Sequence, residues 1–384
     1  MVKKFHTCPI VAIVMFLAAC KPAERKQVME PVDTIPFIQP RDKPVDTLMT
    51  SETRALWINL KRLQGTGVLF GQQDATLSGV DWKMLENRSD VRDVTGTYPA
   101  LYGWEIAGTG IEVNIDSIPY AIIKKRIIEA YTRGGVNTVT WHLSNPVTGG
   151  SAWDVYPAVQ QILPDSSRFE YYQSELSRIA EFFQQLKTAE GKQVPVIFRP
   201  FHESNGNWFW WGKGSCTPEE YIRLWRFTVS YLRDSLQVHN LLYTFSTDMF
   251  ENQQQYLERY PGDEWVDILG CENYWDFQSG ASVSNGIVQL RMLVSMAMQR
   301  KKLAALTECG FEGIPVKNWW TQYLLAPIKQ DSLVRNISYL MVWRNANRKH
   351  YYTPFNGHKS IPDFVAFEKD SFTIFERDLI HVYK

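Results

Sequence analysis

The feature that most constrains the fold is an alternation of short apolar runs with longer amphipathic segments, continuing from residue 68 to residue 343. This alternation is typical of βα units and predicts a parallel sheet. The apolar runs predict eight strands, at 68–72, 99–105, 136–142, 194–202, 241–246, 267–273, 303–308 and 337–343. Eight strands with helices between them predict a single-domain (β/α)8 TIM barrel, and no interior Gly/Ser-rich linker divides the chain.

The segments between the runs carry apolar residues at helical spacing. They predict helices over 120–133, 171–187, 218–233, 288–301 and 319–329. The third has the clearest start, because Thr217 is a good N-cap, Pro218 takes the first helical position and Glu220 stands at the capping-box position.

The N-terminal 50 residues are typical of a targeting segment followed by a tether. Lys3 and Lys4 precede an apolar run that is too short to span a bilayer and suits a signal peptide. Residues 17–20, Leu-Ala-Ala-Cys, resemble a bacterial lipobox. We therefore expect a lipoprotein signal peptide over 1–19, a lipid on Cys20, a proline-rich tether over 20–50 and the barrel over 51–384, with simple secretion as the alternative. The protein would then be lipid-anchored to a bacterial membrane, facing the periplasm or the cell surface.

Composition narrows the function classes. Forty-one basic residues balance 41 acidic ones, which argues against a nucleic-acid partner. The aromatic share is 14%, with 14 Trp, which favours either sugar stacking or aromatic core filling. The cysteines Cys216, Cys271 and Cys309 lack zinc-site spacing; a Cys271–Cys309 bridge and buried free thiols both remain open.

Chemistry in such barrels lies at the C-terminal ends of the strands. The polar and aromatic residues that end the eight runs are Gln72, Gln73, Asp74, Glu105, Trp141, His142, His202, Glu203, Asp248, Glu272, Tyr274, Glu308, Trp343 and Arg344. They predict a mouth rich in carboxylates and rings, without a metal-ligand cluster or a phosphate cradle. We therefore expect neither a metal nor a cofactor.

Two carboxylates stand out, because Glu203 and Glu308 each follow a run too apolar for a surface strand. Two carboxyls in unlike environments can act as an acid and a nucleophile, as glycoside hydrolysis requires. The structural alternative is an ion-paired carboxylate at the rim, for instance Glu203 with Arg199. Likewise, His142 and His202 could be buried core histidines with satisfied hydrogen bonds.

The segment 199–212, RPFHESNGNWFWWG, closely resembles the acid/base motif of glycoside hydrolase family 26, the β-mannanases and their relatives. Segments 70–76, 141–146, 273–275, 307–310 and 342–345 resemble other family motifs in the same order, so the resemblance covers about residues 50–384. It implies a retaining enzyme with Glu203 as acid/base and Glu308 as nucleophile.

The resemblance also implies sugar-binding roles. His142, His202, Trp208 and Tyr274 match contacts around the cleaved sugar, Trp343 matches the platform beneath it, and Arg344 matches a contact to the next sugar. Glu272 stands where acidic sugar contacts occur. About half of the four rings at 208–211 are expected in the core, with Trp208 in the site.

The implied substrate is β-mannan, galactomannan or glucomannan, as polysaccharide or oligosaccharide, and the implied assembly is a monomer. Mixed-linkage β-glucan and β-1,3-xylan are the alternative substrates, and endo and exo action both remain open. A non-catalytic glycan-binding lipoprotein is the alternative from another class; it predicts that one of the two strand-end carboxylates is missing, whereas both are present.

Overall fold

The computed structural model describes residues 43–108, 112–278, 280, 282–379 and 381–384. The predicted signal peptide, Cys20 and the tether up to residue 42 lie outside the described residues.

Eight parallel strands close into a barrel. They are β1 (Val68–Gln73), β2 (Leu101–Glu105), β3 (Val136–Trp141), β4 (Val196–Pro200), β5 (Leu241–Thr247), β6 (Ile268–Asn273), β7 (Leu303–Cys309) and β8 (Tyr339–Val342). Each strand pairs with the next, and β8 returns to β1 through the pair Gly71 and Met341. The predicted single-domain (β/α)8 barrel is confirmed. Thr373–Ile374 adds to the start of β1, and Ser78–Gly79 pairs with Trp82–Lys83.

Helices surround the barrel. The α-helices in the described residues are Ser51–Leu63, Asp90–Thr95, Tyr120–Thr132, Val159–Ile162, Phe169–Gln185, Pro218–Ser230, Gln253–Leu257, Val283–Gln299, Ala326–Gln330 and Ile361–Lys369. Tyr231–Ser235 and Trp319–Leu325 are π-helical, and Asp263–Trp265, Asp276–Gln278, Val334–Asn336 and Glu376–Asp378 are 3₁₀ turns. The capping box of Thr217 and Glu220 is present, as predicted. None of the described helices combines the length and the apolar character needed to cross a bilayer.

The helix Ser51–Leu63, which the sequence analysis did not predict, closes the N-terminal end of the barrel. Its buried residues Leu56, Trp57 and Leu60 join the residues that point into the barrel, such as Leu69 and Ile197. We call this end the foot and the opposite end the mouth. Burial of the helix stripe against the barrel interior explains why this otherwise charged helix forms here.

Residues 43–50, assigned from sequence to the tether, are packed on the foot. Asp267 Oδ1 accepts from the Val45 N–H at 2.8 Å, and Arg233 Nη1 donates to the Val45 carbonyl at 3.0 Å. His239 Nδ1 lies 2.8 Å from Asp46 Oδ2. These contacts make a clasp, defined here as residues 43–50, so packing on the barrel begins before residue 51.

The larger core lies between the outward faces of the strands and the helices. Cys216, Cys271 and Cys309 are buried there and free, so of the two alternatives for these thiols the structure has the unbridged one.

Candidate active site

Arg199 on β4 is the centre of a buried polar cluster inside the mouth. Its Nη1 donates to Glu272 Oε1 on β6, and its Nη2 donates to Glu308 Oε1 on β7. All three side chains are nearly inaccessible to solvent. The sequence suggested Glu203 as an ion-pair partner of Arg199, and that alternative is wrong. Arg199 points into the barrel toward β6 and β7, whereas Glu203 lies beyond the end of β4.

Glu272 and Glu308 share this one guanidinium but differ in their other donors. Burial raises the pKa of Glu272 well above its usual value, and repulsion from Glu308 adds to the rise. Burial also raises the pKa of Glu308, although Arg199 opposes this effect. Glu308 accepts hydrogen bonds at both oxygens, with Tyr274 Oη donating to Oε2 at 2.8 Å, whereas both described donors to Glu272 meet Oε1. This arrangement favours the negative charge on Glu308 and a proton on Glu272.

Glu203 lies on a tight turn that follows β4. Phe201 and Glu203 both adopt left-handed backbone conformations, with φ of 49° and 52°. The Glu203 N–H donates to the Ser246 carbonyl at 3.0 Å, and Trp208 Nε1 donates to Glu203 Oε2 at 2.6 Å. Non-glycine residues rarely adopt this conformation, and such strain concentrates at functional sites. The turn therefore places the half-buried carboxyl of Glu203 in the mouth rather than in the wall of the barrel.

The four rings that follow Glu203 divide unequally. Phe209, Trp210 and Trp211 are buried, and Trp211 Nε1 donates to the His202 carbonyl at 2.8 Å. Trp208 alone is half-buried and reaches Glu203. Three buried rings therefore support one ring at the site, where the sequence suggested an even division.

The two histidines of the mouth are in contact but differ in charge. Their ring centroids lie 4.6 Å apart, with His142 at the end of β3 and His202 after β4. Burial would lower the pKa of His142, but its ion pair with Glu105 overcomes burial and raises it. Burial lowers the pKa of His202 well below its usual value, and His142 and Arg199 lower it further. His202 is therefore the neutral imidazole of the pair.

A second charged group occupies the side of the mouth formed by β8, β1 and β2. Arg344 Nη2 lies 2.9 Å from Asp116 Oδ1. Asp74 follows β1 directly with a φ of 52° and is buried, and burial together with repulsion from Asp116 raises its pKa well above the usual value. Trp343 is half-buried directly after β8. Trp343 and Arg344 therefore both border the mouth.

His202, Glu272 and Glu308 also bring possible ligand atoms within 4.8 Å of one another. The sequence predicted no cluster of metal-ligand residues in the mouth. That prediction is wrong as to position, because these three residues do lie together. The donor set nevertheless does not suit a cation, because the Arg199 guanidinium already donates to both carboxylates. A divalent ion there would meet the fixed charge of Arg199.

Two rings from loops also border the mouth, and of these Trp153 was not predicted from the sequence. Tyr352 packs edge-on against Tyr274 with ring centroids 5.8 Å apart, and Trp153 stacks on His142 at 5.1 Å. Both come from loops, where no periodic pattern marks a functional residue. Gly310 makes room for Tyr352, because a Cβ there would lie 2.5 Å from its ring.

The mouth thus holds a half-exposed carboxyl on the turn after β4 and a buried, hydrogen-bonded carboxylate on β7, with rings and charged groups around them. Residues 45–360 match the family model described as Glycosyl hydrolase family 26. The chain belongs to this family.

The chain is also similar to curated relatives and to solved structures. It is 33% identical over 350 residues to a mannan endo-1,4-beta-mannosidase of Bifidobacterium adolescentis, covering 84% of this chain and 34% of that protein. The chain thus spans about a third of that relative's length.

Two solved family 26 structures share the architecture. A beta-mannanase from Bacteroides ovatus is 39% identical, covering 87% of this chain and 98% of that chain, with a TM-score of 0.83. A modular endo-beta-1,4-mannanase from Cellulomonas fimi is 35% identical, covering 89% of this chain and 79% of that chain, with a TM-score of 0.83.

Proposed function

We propose that this chain hydrolyses β-1,4-mannosidic bonds in mannan, galactomannan and glucomannan by double displacement. The observation that carries the proposal is the unequal pair of carboxyls: Glu308 is buried and receives donors from Arg199 and Tyr274, whereas Glu203 is half-exposed and accepts from the Trp208 indole N–H. The first environment suits a charged nucleophile and the second suits a group that exchanges a proton with the leaving oxygen. Relatives whose names specify mannan support the substrate.

In this reaction Glu308 attacks the anomeric carbon while Glu203 protonates the departing oxygen. The resulting glycosyl-enzyme is then hydrolysed by water, from which Glu203 takes a proton. The leaving sugars lie on the Glu203 side of the mouth, so the sugar being cleaved and its non-reducing neighbours extend toward Trp343 and Arg344. We assign the platform under the cleaved sugar to Trp343, and contacts to it to His142 and His202.

The decisive experiment follows the first products by NMR. Retention requires that mannan or a reduced manno-oligosaccharide release a β-anomer first, and we expect mixed-linkage β-glucan and β-1,3-xylan to react more slowly. The initial product lengths distinguish internal cleavage from release of short oligosaccharides at chain ends. A first product of inverted configuration, or faster hydrolysis of either competing glycan, would refute the mechanism or the substrate respectively.

We further propose that the protein is a monomer attached to a bacterial membrane through a lipid on Cys20. The support is the lipobox-like sequence that ends at Cys20. Cys20→Ala should move the protein from the membrane to the soluble fraction without changing activity on soluble mannan. Cys8→Ala, in the same leader segment, is the matched control and should leave fractionation unchanged. A Cys20→Ala protein that stayed membrane-bound and acylated would contradict the proposal.

A further inference from the structure

Asn345 lies two residues after Trp343 and is completely buried. Its Nδ2 donates to Asp90 Oδ2 at 2.8 Å and to Thr353 Oγ1 at 2.9 Å. Its Oδ1 accepts from the Tyr352 N–H at 2.8 Å and from the Thr353 N–H at 3.0 Å. Both polar atoms of this side chain are thus engaged, within the loop that follows β8 and across to another loop.

Asp90 belongs to the segment that follows β1 and is 3% exposed. Besides Asn345, it accepts from the Val80 N–H at 2.8 Å and from Trp82 Nε1 at 2.7 Å. Ser78 Oγ, in the same segment, donates to the Asn345 carbonyl at 2.7 Å. The loop after β8 is therefore bonded to the loop after β1 through both the side chain and the backbone of Asn345.

The backbone of Trp343 is held in place on both sides. On one side Val342 is paired with Gln72 in the barrel, and on the other Asn345 is held by Asp90 and Ser78. The Trp343 ring itself is only half-buried, so core packing leaves part of its orientation undetermined. A buried amide with every partner in place is a suitable device for holding a backbone in a single position.

We propose that Asn345 and Asp90 are positioning residues that set the tilt of Trp343 under the sugar being cleaved. The proposal rests on the proposed function, because it assigns Trp343 the role of sugar platform. Neither residue touches the reacting atoms. They act through the backbone of Trp343, so their effect on catalysis requires that the indole be present.

The test is a double-mutant cycle on mannan hydrolysis. Asn345→Asp keeps the size of the side chain but places a second carboxyl against Asp90, and we expect kcat to fall about 10- to 100-fold. In a Trp343→Ala background the same substitution should lower kcat by less than about twofold, because the platform is already absent. The exchanged pair Asp90→Asn/Asn345→Asp restores one donor and one acceptor and should recover part of the loss.

Asn240→Asp is the matched control, because Asn240 is a buried asparagine at the foot that donates to the Val194 carbonyl at 2.8 Å. It should lower Tm without changing kcat in either background. If Asn345→Asp does not fold, Ser78→Ala removes only the bond to the Asn345 carbonyl. It should lower kcat a few-fold in the parent and leave it unchanged in the Trp343→Ala background.

Equal losses of kcat in both backgrounds would overturn the positioning role while leaving the platform intact. A folded Trp343→Ala protein with normal kcat would overturn both the platform and the inference. The acid limb of the pH profile distinguishes a third possibility, in which Asn345 does not act through Trp343. A shift of this limb in Asn345→Asp would mean that the residue acts through Tyr352, Tyr274 and Glu308 instead, which would also overturn the proposal.

Discussion

Trp208 donates its indole N–H to Oε2 of Glu203 at 2.6 Å. The ring comes from the segment directly after the tight turn that carries Glu203, and it packs edge-on against buried Phe209. The carboxyl that is proposed to protonate the leaving oxygen is therefore oriented by a ring that is itself supported by the core.

Removing this hydrogen bond while keeping an aromatic ring should impair proton transfer. A hydrogen bond to a charged group contributes about 1.5–3 kcal/mol, so we expect Trp208→Phe to lower kcat on mannan about 10- to 100-fold. Activated aryl mannosides, which need little protonation, should be affected less. Equal losses of kcat on both substrates would show that Trp208 binds sugar rather than orienting Glu203.

The roles of the two carboxyls predict opposite responses to leaving-group quality. Glu203→Ala should retain more activity on activated aryl glycosides than on mannan, because these substrates need little protonation of the leaving group. Hydrolysis of the glycosyl-enzyme should still be slow without the base, and added azide should restore some turnover as a glycosyl azide. Glu308→Ala should lose activity on every substrate, because the covalent intermediate can no longer form. Steady-state rates on a series of aryl mannosides test this. The reverse selectivity would mean that the roles are exchanged.

Tyr274 should set part of the acid limb of the pH profile. Its hydroxyl donates to Glu308 and lowers the pKa of that carboxyl, while burial raises it. Glu308 must be ionised to attack, so Tyr274→Phe should move the acid limb of kcat/KM to higher pH. Tyr352→Phe is the control, because the Tyr352 ring contacts Tyr274 without bonding Glu308. An acid limb that stays in place in Tyr274→Phe would contradict this account.

Arg199 should dominate the stability of the mouth. Arg199→Met leaves two buried carboxyls without their cation, which should destabilise the fold by about 3–5 kcal/mol at neutral pH. Loss of the cation raises the folded-state pKa of both carboxyls further. The deficit should therefore shrink as the pH falls toward the unfolded-state pKa, where both states are protonated. Unfolding measured at pH 7.5 and at pH 4.5 tests this, and a deficit independent of pH would disprove it.

Arg344 should contribute to substrate binding only when the substrate carries a sugar next to the one being cleaved. We expect Arg344→Ala to raise KM for an aryl mannobioside but not for an aryl mannoside, which has no sugar beyond the cleaved one. Arg348→Ala is the matched control, because Arg348 is exposed and paired with Asp81. Equal effects of Arg344→Ala on both substrates would show that the pair with Asp116 is structural.

The strand ends could be predicted because a barrel strand is short, apolar and followed by polar residues. Glu203, Glu308, His142 and Trp343 all lie at or within three residues of the strand ends in the structure. The helix Ser51–Leu63 was not predicted, because its charged positions obscure the buried stripe formed by Leu56, Trp57 and Leu60.

The partners of Arg199 could not be predicted either. Sequence proximity pointed to Glu203, but a strand side chain that faces the barrel interior meets residues from strands far away in the chain. The same reason applies to Asp116 with Arg344 and to Asp90 with Asn345, since each pair joins two segments, far apart in the chain, that only the closed barrel brings together.

The clasp of residues 43–50 also has a consequence for access to substrate. It holds the chain at the foot, so the described polypeptide begins at the end of the barrel opposite the mouth. With a lipid on Cys20, as proposed, the segment up to Lys43 would reach at most about 78 Å at roughly 3.4 Å per residue. A bulky polysaccharide could then approach the opening from the aqueous side, without having to pass between the enzyme and the bilayer.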